Sequence, residues 1–564
     1  MKTNLLKNGA VENTAVEDAT KFSTYGSEKH KFRNKFVALF VFVFLLGSAN
    51  GLAQWNGGGT WNDPFQIYDV SDLELLADEI DAGISFQGVY FRVMNDIPGP
   101  VTRMIGFPGS CFKGYIWGDN HKITVEIESD EQYVGLFSCL SEGQIYDLVL
   151  DGSVIGGLNS QYVGGFAGFV YPASMAFHHC TNLADVTGQS ATSTVGGVAG
   201  AMTPVNGGSE VNPLYNNGTI TGGYAIGGIF GTVYLTQSNA IMLHNFKNSG
   251  TIKSNDNVRV SHYMAGIVAY VANNITFSGH FITHNAVNIG KVLSSRAMYS
   301  GGILAYINNS SNSLHQAEIN NSCNSGILDG ALNASGGIAG YIDNISVIGC
   351  INTNWIEPVG TAGAIVGINN NGTIANCFYD NQMCIVGGIG NNPNPNPPGA
   401  SGLPTASMLG ANLQNQGLPF WDWSFVPNLY PRPNDWPNNH PINLLAAAPI
   451  YLQNGENLRN VQTNFFVSNF ESIPPFGPPQ PLADPYFYRW GWYPGGNFVP
   501  NSMLGYISIP YNTIPPPTTN AATINVMQGG WDSIAVRFDY PNYGNNGITP
   551  GIIFEKVVPI NVRP

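Results

Sequence analysis

Few residues in this 564-residue chain stand at spacings that could do chemistry. A zinc helix places two histidines one turn apart, as in His-Glu-x-x-His, and no such motif occurs. His178 and His179 are adjacent and cannot share a helical face, so they read as exposed loop residues beside Cys180. No Gly-x-Ser-x-Gly elbow, phosphate loop or dinucleotide fingerprint appears. A glycosidase needs two carboxyls about 5–9.5 Å apart. Asp151, Asp185, Asp256, Glu318, Asp329, Asp343, Glu357 and Asp380 are scattered, at no recurring interval. Asp151 and Asp185 hold roughly corresponding places ahead of glycines, as neighbours on one face or as solvent-facing turn carboxylates. Asp and Asn oxygens leave a calcium site open, but neither an EF-hand nor a nonapeptide calcium repeat is present. No other cofactor is expected.

Aromatic residues offer a better lead. Tyr486, Phe487, Tyr488, Trp490, Trp492 and Tyr493 fall within eight residues, ahead of Pro494-Gly495-Gly496. Flat exposed aromatics stack on sugars or anchor partner proteins, so Tyr488, Trp490, Trp492 and Tyr493 are the candidate binding residues. The competing reading makes them the core of a small domain. A second cluster, Phe420-Trp421-Asp422-Trp423, reads as a plug closing the end of the structure before it.

The elements that must carry these residues follow from composition. Charged residues make up 10% of the chain, far below the roughly 25% of an ordinary soluble domain. Gly numbers 68 and Asn 64, while hydrophobic residues reach 43%. Such a chain can bury a core, but it is a poor helix former, so strands and turns do the building. The net charge of −14 argues against nucleic acid, whose phosphates demand basic surfaces.

Near the start, basic His30-Lys31-Phe32-Arg33-Asn34-Lys35 precedes an apolar run from Phe36 to Leu46, and small residues end at Gly51-Leu52-Ala53. That order predicts a secretory signal over residues 1–53, with an unusually long n-region. The apolar run is too short for a membrane span, so none is expected after cleavage. Export and surface display are therefore expected. Seven cysteines (Cys111, Cys139, Cys180, Cys323, Cys350, Cys377, Cys384) are too dispersed for a metal ribbon. Cys377 and Cys384 are close enough to pair locally, while buried free thiols fit equally well.

One phrase recurs through the middle of the chain. It reads Val163-Gly164-Gly165-Phe166-Ala167-Gly168, Val195-Gly196-Gly197-Val198-Ala199-Gly200 and Ile226-Gly227-Gly228-Ile229-Phe230-Gly231. It returns as Ala265-Gly266-Ile267-Val268-Ala269-Tyr270, Gly301-Gly302-Ile303-Leu304-Ala305-Tyr306, Gly336-Gly337-Ile338-Ala339-Gly340 and Ala362-Gly363-Ala364-Ile365-Val366-Gly367. Val134-Gly135-Leu136-Phe137 is a degenerate first copy. Between copies lies an Asn-rich phrase, as in Asn216-Asn217-Gly218-Thr219-Ile220 or Asn248-Ser249-Gly250-Thr251-Ile252. Alternating aliphatic and small residues mark half-buried strands, and Asn or Gly suits corners that require positive φ. Copies of about 30 residues are too short for propeller blades of roughly 40–45, so they stack as a parallel β-solenoid. Asn residues at equivalent corners would then form ladders between rungs.

The repeated Gly-Gly-Ile-x-Gly with its Asn-rich partner resembles the GLUG-motif repeats of bacterial secreted and adhesin-like surface proteins. Trp61-Asn62-Asp63-Pro64-Phe65-Gln66-Ile67 before the repeats is similar to the start of such proteins, and Asn376-Cys377-Phe378-Tyr379-Asp380 and Trp421-Asp422-Trp423 to their end. The resemblance spans roughly 55 to 430 and implies a secreted or surface protein. Copies that lack a glycine or end in Tyr imply irregular rungs or inserted loops.

The expected architecture is all-β, a right-handed parallel β-helix with an N-terminal cap and a small C-terminal sandwich. Residues 54–133 make the cap and first rungs, with a helix from Ser71, its N-cap, that turns Leu73, Leu76, Ala77 and Ile80 inward. Residues 134–390 form the repeat solenoid. Residues 391–440 hold an extended Pro/Asn linker and the end plug, and residues 441–564 a β-sandwich-like domain. Two functions fit. The first is a non-enzymatic exported structural or adhesive protein that presents its solenoid to a glycan, to a host or neighbour-cell protein, or to an envelope assembly. The second is a carbohydrate-active β-helix enzyme, a lyase or glycoside hydrolase.

Overall fold

The computed structural model describes residues 55–418 with short interior breaks, then Trp423–Phe425 and Tyr430–Pro433, and beyond these only separate strand segments from Leu445 to Val562. Residues 1–53, read from the sequence as a secretory signal, lie outside the described residues. No described helix is long and apolar enough to cross a membrane.

Strands from Phe65 to Leu403 pair in parallel, each with its equivalent in the next rung. Two eight-stranded walls take one strand each from the eight copies of the Gly-Gly phrase. One runs from Tyr133–Val134 to Thr361–Gly363, the other from Phe137–Leu140 to Val366–Asn370. A 24-stranded parallel assembly forms the rest of the solenoid. Alternate residues such as Val163, Phe166, Val195 and Val198 point inward and are completely buried, so rungs share one core.

The two repeat phrases meet inside that core. The second glycine of each pair (Gly165, Gly197, Gly228, Gly266, Gly302 and Gly337) packs on the side chain of Asn182, Asn216, Asn248, Asn288, Asn324 and Asn352 respectively. A Cβ there would collide with the amide and with the next rung's backbone, so only glycine fits. The six asparagines are fully buried and form the expected ladder. Each Nδ2 donates to the next Oδ1, from Asn182 to Asn216 at 2.8 Å through Asn324 to Asn352 at 2.8 Å. Each also donates to the backbone oxygen two residues ahead, which satisfies a corner that would otherwise bury bare polar groups.

A second set of residues turns the chain at positive φ: Asp147, His179, Asn245, Asn285, Asn321, Gly349 and Asn376. His178 is therefore not in a loop. It lies in the strand Phe177–Asn182, is 8% exposed, and stacks on Tyr146 at 4.5 Å.

The helix Val70–Asp81 buries Leu73, Leu76, Ala77 and Ile80, the anticipated face. Its N-cap is Asp69 rather than Ser71: the Asp69 carboxylate accepts from Ser71 N at 2.8 Å, starting the helix two residues earlier. Arg103 ties the helix to the following segment through Asp78 and Asp81.

Three further expectations are corrected. The Asn/Pro run after residue 390 is not an extended linker. Asn394 and Asn396 N–H groups bond the side chains of Asn392 and Asn394, and the loop returns to Ala400–Leu403, which pairs with Cys377–Asp380 as one more strand of the stack. Trp423 does not plug an end: with Met408, Leu413 and Leu418 it covers Val287, Cys323, Ile351 and Phe378, an outer column four rungs long. Phe420, Trp421 and Asp422 lie outside the described residues. Tyr270 and Tyr306 do not replace the last glycine of the phrase. Register sets Val268 and Leu304 against Phe230 and Ala339, so Ala269 and Ala305 hold that place and each tyrosine follows it.

Cys111 and Cys139 form a disulfide between neighbouring rungs, next to the in-register pair Phe112 and Leu140. Cys180, Cys323, Cys350, Cys377 and Cys384 are free and buried, so Cys377 and Cys384 do not pair.

Among the strand segments after Leu445, Phe487–Trp492 pairs antiparallel with Ser533–Pro541, which pairs with Pro550–Pro559.

Candidate functional site on a tyrosine-lined corner

The two eight-stranded walls meet at the bend made by each Gly-Gly phrase. Just before the bend, the outward position carries Tyr133, Tyr162, Thr194, Ala225, Tyr263 and Tyr299 in successive rungs. Just after it, the outward position carries Phe169, Ala201, Thr232, Tyr270, Tyr306 and Tyr341. Rings from the two walls touch: Tyr263 stacks on Tyr270 with centroids 4.5 Å apart, and Tyr299 meets Tyr306 at 4.9 Å. Outward side chains can meet across a bend only where the surface is re-entrant. The corner is therefore a trough along the solenoid.

Contacts also run lengthwise. Tyr306 stacks on Tyr341 at 4.6 Å and 12°, and Tyr263 reaches Tyr306 at 5.0 Å. At the other end Tyr133, Tyr162, Phe169 and Tyr171 pack together. Small residues Thr194, Ala201, Ala225 and Thr232 separate the two blocks and are themselves buried, and the hydroxyls of Tyr162 and Tyr234 meet at 3.0 Å. Each ring is half-buried and held by neighbours, so little side-chain entropy remains to be lost on binding.

The trough is almost uncharged. Of Asp, Glu, Lys and Arg, the sixteen described strands of these walls contain only Asp343, held by the amides of Asn344 and Asn370. Burial, then neighbouring phenols, pushes Tyr133, Tyr234 and Tyr263 above the usual tyrosine range. Their hydroxyls stay protonated at neutral pH. The surface thus offers apolar ring faces and neutral donor-acceptor hydroxyls, which match the CH faces and hydroxyls of a sugar.

The other candidates are placed differently. Tyr488, Trp490 and Trp492 alternate along Phe487–Trp492, opposite Phe538, Val536 and Ile534, which puts them on one face of that sheet. Their side chains, and all of Tyr493, lie outside what is described. Asp185 stands in register with Ser153, not Asp151, two positions off the expected match. Asp151 instead accepts from Lys122 at 2.9 Å, and Asp185 accepts from Thr219 N at 2.8 Å. Asp256 is outside the described residues. Asp380 is buried and accepts from the Tyr430 hydroxyl at 2.5 Å.

One carboxylate pair does come together. Leu328 bridges Ile356, so Asp329 and Glu357 follow on adjacent rungs, and burial followed by the Glu357 charge holds Asp329 above the ordinary carboxylate range. Among the described residues no three His, Cys, Asp or Glu side chains gather as a metal site.

The tyrosine trough was the feature missed. Its signal was present: a tyrosine two residues before the first position of the pair at 133, 162, 263 and 299, and another four after the second at 270, 306 and 341. In comparisons with protein-family models, curated proteins and solved structures, the chain matches none of them.

Proposed function

We propose that this chain is an exported, non-enzymatic binding protein whose solenoid lays its tyrosine trough along an uncharged glycan chain at a cell surface. The observation that carries this reading is the row of stacked, pre-packed phenols along a re-entrant and almost chargeless corner. Repeated weak contacts at a fixed rung spacing suit a polymer with its own repeat, and they add up through multivalency. Scarcity of Lys and Arg disfavours acidic polysaccharides as the ligand. The signal-like leader and the resemblance to GLUG-motif adhesin-like proteins support surface display, where a host or neighbour-cell protein is the alternative partner. In the finer fold we read a right-handed winding, the strongly preferred hand of parallel crossovers, and a sandwich-like C-terminal domain.

The test is a glycan array probed with the chain lacking residues 1–53, beside its Tyr270→Ser/Tyr306→Ser variant. The reading expects wild-type binding to neutral glycans and a loss of about tenfold or more in the variant at unchanged thermal stability. An affinity for polymeric neutral glycans left unchanged by the double substitution would overturn it.

The pair Asp329 and Glu357 favours the second reading, a carbohydrate-active enzyme in which Asp329, raised by burial and by the Glu357 charge, serves as the acid. Glycan turnover abolished in Asp329→Asn would establish that reading instead.

A further inference from the structure

A separate aromatic surface lies on another wall of the solenoid, near its N-terminal end. The turn at Thr60–Asp63 is closed by backbone bonds in both directions and tied to the next rung by Tyr90 N donating to Gly59 O at 3.0 Å. Its tip carries Trp61, which is 63% exposed, the second most exposed large hydrophobic side chain among those described. Trp61 is nonetheless held in place: its ring stands edge-on to Trp117 at 4.5 Å and to Tyr90 at 5.6 Å. Tyr90 stacks in turn on Tyr115 at 4.5 Å and 12°. Leaving an indole in water forgoes burial, so a fixed and exposed one points to a ligand.

Polar groups flank the rings on the same face. Arg92 is the in-register neighbour of Trp117, and Asp119 follows Trp117 by two residues. The Gly118–His121 turn holds Asp119 at φ 49° and presents its carboxylate to Arg92 Nε at 2.5 Å. The ion pair is about half-exposed, and Nε is the guanidinium atom it uses, so the two Nη groups have no protein partner among the described residues. Here, then, are a flat apolar platform, free planar donors and an acceptor whose charges cancel. Vicinal hydroxyls of a neutral pyranose require this set, with the sugar's CH face on the indole.

We infer that Trp61, Trp117, Tyr90 and the Arg92–Asp119 pair form a second saccharide site, one that holds a single neutral pyranose unit independently of the tyrosine trough. It shares with the proposed function only the premise that the protein meets glycans. The experiment titrates the full mature chain with cellohexaose, maltohexaose and chitohexaose at up to millimolar concentration, followed by tryptophan fluorescence and calorimetry. At least one oligosaccharide is expected to bind and to shift the fluorescence. Trp61→Ala should weaken that binding about tenfold and remove the shift, Trp61→Tyr should restore most of it, and Arg92→Gln should weaken it severalfold. Tyr270→Ser/Tyr306→Ser should leave the fluorescence response intact. No response to any of the three, or a response unchanged in Trp61→Ala, would overturn the inference. Binding lost only in the tyrosine variant would overturn this site while sustaining the trough.

Discussion

The side-chain amide of Asn216 donates to Oδ1 of Asn248 at 2.7 Å, although the two residues are 32 positions apart in the chain. Both are fully buried, and each has the second glycine of a Gly-Gly phrase packed against it. The column begins at Asn182, whose Oδ1 has no hydrogen-bond partner because Leu150 occupies its place in the preceding rung. At both ends of the column the glycine is lost together with the asparagine. At the Leu150 end the first copy is one residue short, with only Gly135 and Leu136 between the in-register Val134 and Phe137, and at the far end Ala364 takes the glycine's place where Tyr379 replaces asparagine. One contact explains why the two phrases travel together.

Replacing Asn248 by Ala removes its bonds to Asn216, Asn288 and Gly250 O, and should cost about 1–3 kcal/mol by chemical denaturation. Gly228→Ala should cost more, since its Cβ collides with both the Asn248 side chain and the Gly266 carbonyl oxygen. Adding Asn248→Ala to Gly228→Ala should not rescue it, because the backbone collision remains. Recovery in the double variant would show that the amide alone dictates glycine.

Trp423→Ala should destabilise the protein by about 3–5 kcal/mol, as expected for an emptied apolar site. It should also uncover Cys323, whose thiol burial pushes up to about 12. In the native protein an alkylating reagent should label few of the five free thiols, and after denaturation all five, with Cys111 and Cys139 protected until reduced. Faster native labelling of Cys323 in the Trp423 variant, read by mass spectrometry, checks the placement of the covering segment.

Tyr133, Tyr234 and Tyr263 keep their protons in the folded state beyond the pH at which an unfolded chain gives them up, near 10. The native state thus binds more protons than the unfolded one at alkaline pH, and stability must fall as pH rises through that range. Tyrosinate absorbance should lag in the folded protein and rise together with the loss of the circular dichroism signal. Early ionisation of all tyrosines without unfolding would contradict the packed trough.

Asp151 and Asp329 should respond to acid in opposite ways. Hydrogen bonding to Lys122 lowers Asp151, so its contribution is present at neutral pH and is lost as pH falls through the carboxylate range. Because that pair is well exposed, Asp151→Asn should cost no more than about 1 kcal/mol. Asp329 is raised by burial and by Glu357, so its ionisation opposes folding as pH rises. Asp329→Asn should increase the neutral-pH melting temperature and flatten the pH dependence. A drop in both variants would refute the assignment.

The repeat architecture was legible because its glycines answer to backbone collisions, which side-chain variation cannot disguise. Eight copies of the phrase correspond to eight strands in each of two walls, and the corner asparagines to a ladder. The trough was not legible, even though Tyr270 and Tyr306 directly follow the repeat phrase. Alternation along one strand says which side chains face outward, but only the sign of the bend at Gly266-Ile267 says that Tyr263 and Tyr270 meet. The disulfide was hidden for a related reason. The 28-residue separation of Cys111 and Cys139 matches one rung, yet spacing alone does not say that both point the same way. His178 was misplaced because a histidine pair looks like a turn, whereas the turn is made by His179 alone.

The segment bearing Met408, Leu413, Leu418 and Trp423 doubles back across four storeys after the last strand of the parallel stack. Tension arriving from the C-terminal side would therefore strip this strap from Phe378, Ile351, Cys323 and Val287 before any storey parted from its neighbour. A chain that yields in that order gives up its extra length first and keeps its tyrosine-lined corner whole while it lengthens.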